Sequence, residues 1–196
     1  MNPRSATVDP ADLRSWIQRA RKGDIGSYQR IYDSFARKVL NFIYHMVHSP
    51  EEAEDLTQET FVVVYQKLKT LNEIDKFEPW LFRIARNFVY QRYRKRAPIA
   101  ASIDAPNEEG RYMPELVDVR KSPDEAFLAE ELEEVVSDVI ANLPEKYREV
   151  FVLSALQHLS YEEIADAVGR SIPSVKTDIH RARLEVRENV KKYLKV

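Results

Sequence analysis

The chain has 196 residues, of which 30 are basic and 32 acidic, giving a net charge of −2, and it holds only 4 glycines and no cysteine. No GxxxxGK[ST] phosphate loop and no GxGxxG dinucleotide loop occurs, so the usual nucleotide-cradling backbone is excluded. Without cysteine there is no disulfide framework, thiolate zinc site or thiol redox sensor, and the near-neutral balance argues against an indiscriminately basic, histone-like binder.

No apolar run approaches the roughly 20 residues that a membrane span needs. The N-terminal stretch MNPRSATVDPADLRSW lacks the apolar core of a secretory signal. No membrane insertion and a cytoplasmic location are therefore expected.

The apolar spacing is helical along nearly the whole chain. Tyr28, Ile31, Tyr32, Phe35, Val39, Phe42, Ile43 and Met46 recur at steps of three and four, as one face of a helix requires. A second start follows at Ser49-Pro50-Glu51-Glu52, with a capping serine, proline in the first turn and a carboxylate at the third position. Leu56, Thr60, Phe61, Val64, Tyr65 and Leu68 continue that helix. The run FVVVY (61–65) would suit a strand by β-branched content alone, but the longer helical pattern decides. Trp80, Leu81, Ile84, Ala85, Phe88 and Val89 predict the next helix.

Between Arg96 and Ser122 the periodicity fails, and proline, glycine and scattered polar residues predict a flexible linker. About 25 residues at ~3.3 Å each span at most roughly 80 Å. Ser122-Pro123-Asp124-Glu125 opens a further helix, continued by Phe127, Leu128, Leu132, Val135, Val136, Val139 and Ile140. The expectation is an all-α protein of two small helical domains, 1–96 and 123–196, joined by a linker at 97–122.

Near the C-terminus, Ser160-Tyr161-Glu162-Glu163 is a capping box opening a short helix that stops at Gly169. A second helix starts after Ser171, with Pro173 in its first turn, where the missing N–H costs nothing. Ile164, Ala165 and Val168 are placed to pack on Ile172, Val175 and Ile179. This is a helix-turn-helix, whose second helix enters the major groove by its N-terminal end. The residues predicted to face outward are Ser174, Lys176, Thr177, His180 and Arg181, of types that reach base edges or phosphates.

The small net charge conceals segregation. Residues 51–59 carry five acids and no base, 83–96 carry six bases and no acid, and 124–134 carry six acids and no base. A solvated helix tends to alternate its signs, so blocks of one sign face something of the other. Arg94, Lys95 and Arg96 are accounted for as complements of a helix C-terminus. Arg83 and Arg86, interleaved with Tyr90 and Tyr93, have the mixture of cations and flat faces that nucleic acid needs.

Together these segments resemble bacterial RNA polymerase sigma factors of the extracytoplasmic-function (ECF) type. AEDLTQETFVVVYQKL (53–68) resembles their polymerase-binding helix, FEPWLFRIARNFVYQRYRKR (77–96) their promoter-melting and −10 segment, and residues 143–183 their −35-reading domain. The resemblance implies that Asp55, Leu56, Gln58, Glu59 and Phe61 meet the beta-prime coiled coil of core RNA polymerase. It implies that Asn72 and Glu73, in the loop 72–76, capture a flipped base, with Phe77 and Trp80 nearby. It implies that Arg83, Arg86, Asn87, Gln91 and Arg94 contact the −10 element of promoter DNA, and that the outward residues of the last helix read −35. An anti-sigma factor is the family's usual inhibitor. Asp178 departs from the family pattern, and an acid there is expected either to repel phosphate or to accept from a cytosine amine.

Two other classes compete. A metalloprotein would use His45 and His48, three residues apart, with Glu51 and Glu52 following, but it lacks an evident third ligand and outer shell. No GxSxG elbow supports a serine hydrolase. A free-standing helix-turn-helix regulator fits the C-terminal half, but leaves a docking helix and a melting segment without a use. The reading is thus a promoter-specificity subunit, not an enzyme, with no cofactor or metal.

Overall fold

The computed structural model describes residues 8–96 and 135–193. The expected linker, the helix start at Ser122-Pro123 and the acidic block 124–134 lie outside the described residues. Those described form helices and turns, with no strand among them.

Among the described residues, four α-helices build the N-terminal domain. Helix α1 (Pro10–Ala20) follows Asp9, whose side chain accepts from the Ala11 N–H at 2.8 Å, and has Pro10 in its first turn. Its start has the same cap-and-proline signature as the predicted helices, yet the sequence reading did not place it. It packs on α2 (Ile25–Val47). The Asp24 side chain accepts from the Gly26 and Ser27 N–H groups at the start of α2. At its other end His48 takes a left-handed conformation, φ 55°, and closes the helix. Ser49 caps α3 (Pro50–Lys67) by accepting from the Glu52 N–H, as expected. The run FVVVY lies wholly inside α3, so the longer periodicity prevailed over β-propensity. Two short 3₁₀ turns, Leu68–Thr70 and Ile74–Lys76, lead into α4 (Phe77–Arg96).

Phenylalanines pin α2 to α4. Phe35 meets Phe77 edge-on with centroids 5.3 Å apart, and Phe42 meets Phe82 at 5.5 Å. All four are fully buried, and such T-shaped pairs add to the area they bury.

The C-terminal domain holds α5, described over 135–141, α6 (Glu145–Phe151) and a wider π-type turn at Val152–Leu156. The helix-turn-helix follows as α7 (Tyr161–Val168) and α8 (Ile172–Tyr193). The capping box is complete: the Glu163 N–H donates to Ser160 Oγ at 3.2 Å, and the Ser160 N–H donates to the Glu163 carboxylate at 2.8 Å. Gly169 turns the chain at φ 70°, a conformation that costs an L side chain about 1–2 kcal/mol. Ile164, Val168, Val175 and Ile179 are buried between the two helices.

The two domains touch. Helix α4 lies against α7, and the end of α2 lies against α6 and the π-type turn. At the second junction Arg148 donates to the Met46 carbonyl at 3.1 Å and, within its own domain, to the Leu143 carbonyl at 3.0 Å and to that of Ala141. Tyr93 donates to the same Met46 carbonyl.

His45 and His48 sit beside this arginine. Burial first, and then the Arg148 charge, lowers His45 to about 4. Burial, Arg148 and His45 likewise lower His48 to about 4. A guanidinium neighbour repels a second cation, which is the opposite of what the metalloprotein reading needs. Because a free imidazole titrates near ~6.5, the unfolded chain takes up these protons first as the pH falls. Their contribution is therefore complete above ~6.5 and is lost on descending toward 4, by up to about 1.4 kcal/mol per pH unit for each histidine. Urea titrations across that window are expected to show the slope. His48→Asn, which tolerates the left-handed backbone, is expected to remove one histidine's share of it.

Candidate functional site

The outer face of α3 carries Asp55, Gln58 and Glu59, all exposed, at the spacing that places them on one side of a helix. Val62 completes that side and is 57% exposed. It was missed because the expected apolar face took only Val64 of three consecutive valines, and Val62 was assigned to no surface. Leu56 and Phe61 do not belong to this surface. They are 5% and 3% exposed, and the Phe61 ring packs edge-on against Tyr32 with centroids 4.8 Å apart. The expected contribution of their side chains to a docking face is corrected accordingly: both are core residues that hold α3 on α2. On the flank of α3, Arg92 of α4 pairs with the buried Glu52 carboxylate, so one base of the 83–96 block is used within the domain.

Asn72 and Glu73 are exposed in the loop before α4. Together with Lys76, Trp80 and Arg83 they line a cavity of about 230 Å³. Trp80 is half-buried, while Phe77 is fully buried. Phe77 therefore supports the loop from beneath and offers no face to a base. Arg14 of α1 steadies the loop through a bidentate pair with Asp75, at 2.6 and 2.8 Å.

Along α4, Asn87, Gln91 and Arg94 are exposed. Arg83 and Arg86 behave differently. Arg83 donates from Nε to the Asp166 carbonyl at 3.0 Å, and its Nη2 donates to the same atom. Arg86 Nε meets the Glu149 carboxylate at 2.5 Å, and the Tyr90 hydroxyl donates to its other oxygen at 2.6 Å. The Arg86 guanidinium also lies 4.4 Å from the Tyr90 ring centroid. Burial and then the Glu149 charge push the Tyr90 hydroxyl well above its ordinary range, so it stays a donor. Sequence reasoning missed Glu149, because a helical acid inside LPEKYREVF carries no mark of a partner in another domain.

On α8, Lys176, Thr177, His180 and Arg181 are exposed and Ser174 is half-buried. Lys176 Nζ lies 5.4 Å from the Tyr161 ring centroid. Arg181 donates to the Tyr147 hydroxyl at 3.2 Å, and Thr177 Oγ1 donates back to the Pro173 carbonyl at 2.9 Å. Asp178 does not face outward. Its side chain is 9% exposed and accepts from Arg170 Nη1 at 2.8 Å. Neither phosphate repulsion nor a cytosine contact describes it; it ties the turn to the recognition helix.

The surfaces thus comprise an acidic helix face, a polar pocket beside a basic helix, and a helix-turn-helix with a basic outer face. Among the described residues no helix is long and apolar enough to cross a membrane. The family model for Sigma-70 region 2 matches residues 31–99, and that for Sigma-70 region 4 matches residues 133–186. The chain is 32% identical over 181 residues to the ECF RNA polymerase sigma factor SigW of Bacillus subtilis, covering 91% of this chain and 97% of that one. It is 31% identical to the RNA polymerase sigma-H factor of Pseudomonas aeruginosa, covering 85% and 88%. Among solved structures, CnrH in complex with the cytosolic domain of CnrY has the same fold, at a TM-score of 0.68 and 22% identity, covering 92% of this chain and 98% of that one. The two family matches in order, and relatives aligned over almost their whole length, establish that this chain belongs to the ECF sigma factors, the promoter-specificity subunits of RNA polymerase.

Proposed function

We propose that the three surfaces divide the sigma-factor task as follows. The α3 face of Asp55, Gln58, Glu59 and Val62 docks on the beta-prime coiled coil of core RNA polymerase. An acidic rim steers toward a basic partner and fixes register, and the exposed valine supplies the apolar contact. The cavity of Asn72, Glu73 and Trp80 takes an unstacked base of the −10 element, and Asn87, Gln91 and Arg94 run beside the strand. Base capture must offset the few kcal/mol of unstacking. Ser174, Lys176, Thr177, His180 and Arg181 read the −35 duplex. The domains are taken as 1–96 and 123–196, joined by 97–122.

The observation that carries this reading is the exposed row Asp55, Gln58, Glu59 and Val62 on a helix whose other side is core. A free-standing regulator has no need of such a row. The chain works as a binding subunit without reaction chemistry of its own, in the cytoplasm, where polymerase acts. The solved neighbours CnrH, bound to the cytosolic domain of CnrY, and the sigma factor RpoE of Bartonella quintana, bound to the anti-sigma factor NepR, support an anti-sigma partner here.

The test is in vitro transcription with core polymerase on a genomic promoter set. The double variant Asp55→Lys/Glu59→Lys reverses the rim while leaving the buried side of α3 untouched. Its polymerase affinity and transcript yield are expected to fall by about tenfold or more, with an unchanged circular dichroism melt. Full transcription by this variant, or tight promoter binding by the chain without polymerase, would sink the assignment.

A further inference from the structure

The loop that carries Asn72 and Glu73 is fastened from outside. Leu71, Asn72 and Glu73 belong to no helix, and Asn72 and Glu73 are exposed. The turn that leads into them is loosely closed, with the Leu71 N–H 3.4 Å from the Leu68 carbonyl. Ahead of the pair, Arg21, the residue that ends α1, is half-buried. It donates from Nε to the Leu68 carbonyl at 3.0 Å and from Nη2 to the Leu71 carbonyl. Beyond the pair, Arg14 Nη2 meets both oxygens of the Asp75 carboxylate, at 2.6 and 2.8 Å. The two grips therefore fall on either side of Asn72 and Glu73, and both come from the same helix.

Arg14 and Arg21 are seven residues apart in sequence, two helical turns, so they leave one side of α1 about 10 Å from each other. A rigid rod thus sets the separation of the two loop ends. Neither arginine lines the 230 Å³ cavity, whereas Leu71, Asn72 and Glu73 do. The outer grip contributes alignment rather than stability. The Arg14 and Asp75 side chains are 51% and 74% exposed, and exposed ion pairs add little to folding. Charge-assisted bonds to both oxygens of one carboxylate nevertheless fix an orientation. Helix α1 also lies ahead of the Sigma-70 region 2 match at residues 31–99.

We propose that α1 is the positioning element of the base-capture loop: Arg14 and Arg21 hold Asn72 and Glu73 in the base-receiving geometry before DNA arrives. The proposal rests on the reading that this cavity takes a −10 base. A loop without these grips has to be ordered at the moment of capture. That cost is subtracted from the stacking and edge contacts that must offset unstacking. Arg14 and Arg21 touch no base; they act through the loop.

The test uses holoenzyme assembled from the full chain and core polymerase. The probe is a fragment of a promoter that the chain transcribes, left single-stranded over the −10 element on its non-template strand. Each −10 nucleotide is replaced in turn by an abasic site, and the ratio of affinities for intact and abasic probes is measured. In the wild type, one position is expected to give a ratio of about tenfold, as for a base stacked on an aromatic face. Arg14→Ala is expected to reduce that ratio to about threefold or less, with an unchanged circular dichroism melt. The charge exchange Arg14→Asp/Asp75→Arg is expected to restore it, and taking the ratio cancels the altered charge of the loop. Arg30→Ala, which removes an exposed cation from α2, is expected to leave both ratio and melt unchanged. A wild-type ratio in Arg14→Ala, or a weakening equal for intact and abasic probes, overturns the positioning role. So does an exchange variant that stays as low as Arg14→Ala. A wild type in which no abasic site weakens binding overturns the base-capture reading, and the proposal with it.

Discussion

Phe42→Ala is expected to destabilise the N-terminal domain by about 3–5 kcal/mol, a large share of the ~5–15 kcal/mol that a domain has in total. Phe42 is fully buried and packs edge-on against Phe82, also fully buried, at 5.5 Å between centroids. Truncation removes the transfer free energy of the ring and leaves a cavity between α2 and α4 that these helices cannot close, because Phe35 and Phe77 hold them apart nearby at 5.3 Å. The consequence reaches the proposed site, since α4 carries Asn87, Gln91 and Arg94 on its outer side. Phe42→Leu is expected to cost distinctly less. Urea denaturation followed by circular dichroism measures both, and a Phe42→Ala midpoint close to wild type would contradict the packing account.

Asp178→Ala is expected to give the second largest effect, and one that separates two readings of the same residue. Asp178 is the buried counter-ion of Arg170, and its loss leaves the guanidinium without a carboxylate, at a cost of about 1–3 kcal/mol. Arg170 Nε already has no hydrogen-bond partner in this packing, and Nη2 has only a long contact of 3.5 Å to the Lys146 carbonyl, so no second carboxylate replaces Asp178. The recognition helix is then held less firmly on the turn, and transcription from promoters that depend on a −35 element falls. Asp178→Asn keeps an acceptor for Arg170 and is expected to retain most of the stability. Neither change alters which −35 sequence is preferred. A shift in base preference on selecting promoters with Asp178→Asn would restore the base-contact reading that the buried geometry displaces.

The helices and their caps were largely legible in the sequence because each depends on neighbours within four residues. Ser49-Pro50-Glu51-Glu52 and Ser160-Tyr161-Glu162-Glu163 state a helix start locally, and the structure places those starts there. Helix α1 carried the same kind of signal at Asp9-Pro10, and Leu13, Trp16, Ile17 and Ala20 recur at helical spacing; both marks were legible and were passed over. What the sequence could not show is which of two faces a residue takes when both are plausible. Leu56 and Phe61 were expected at a docking surface and are core; Val62, beside them, is exposed. Asp178 reads as an anomaly on a DNA-facing helix until Arg170, eight residues earlier, is seen beneath it. Glu149 and Arg86, 63 residues apart, lie on helices whose separate patterns say nothing about their meeting. Contacts that depend on the angle between two domains have no periodicity to betray them.

The Met46 carbonyl illustrates how such a junction can be used repeatedly. It accepts from Tyr93 of its own domain and from Arg148 of the other, and Arg148 in turn keeps the Ala141 and Leu143 carbonyls within its own domain. When Arg148 is withdrawn, the Met46 carbonyl at the end of α2 still accepts from Tyr93, and the guanidinium keeps the Ala141 and Leu143 carbonyls through Nη2. A helix end whose carbonyl is satisfied from within its own domain keeps its last turn closed without help from the other domain, and so offers a protease no frayed end.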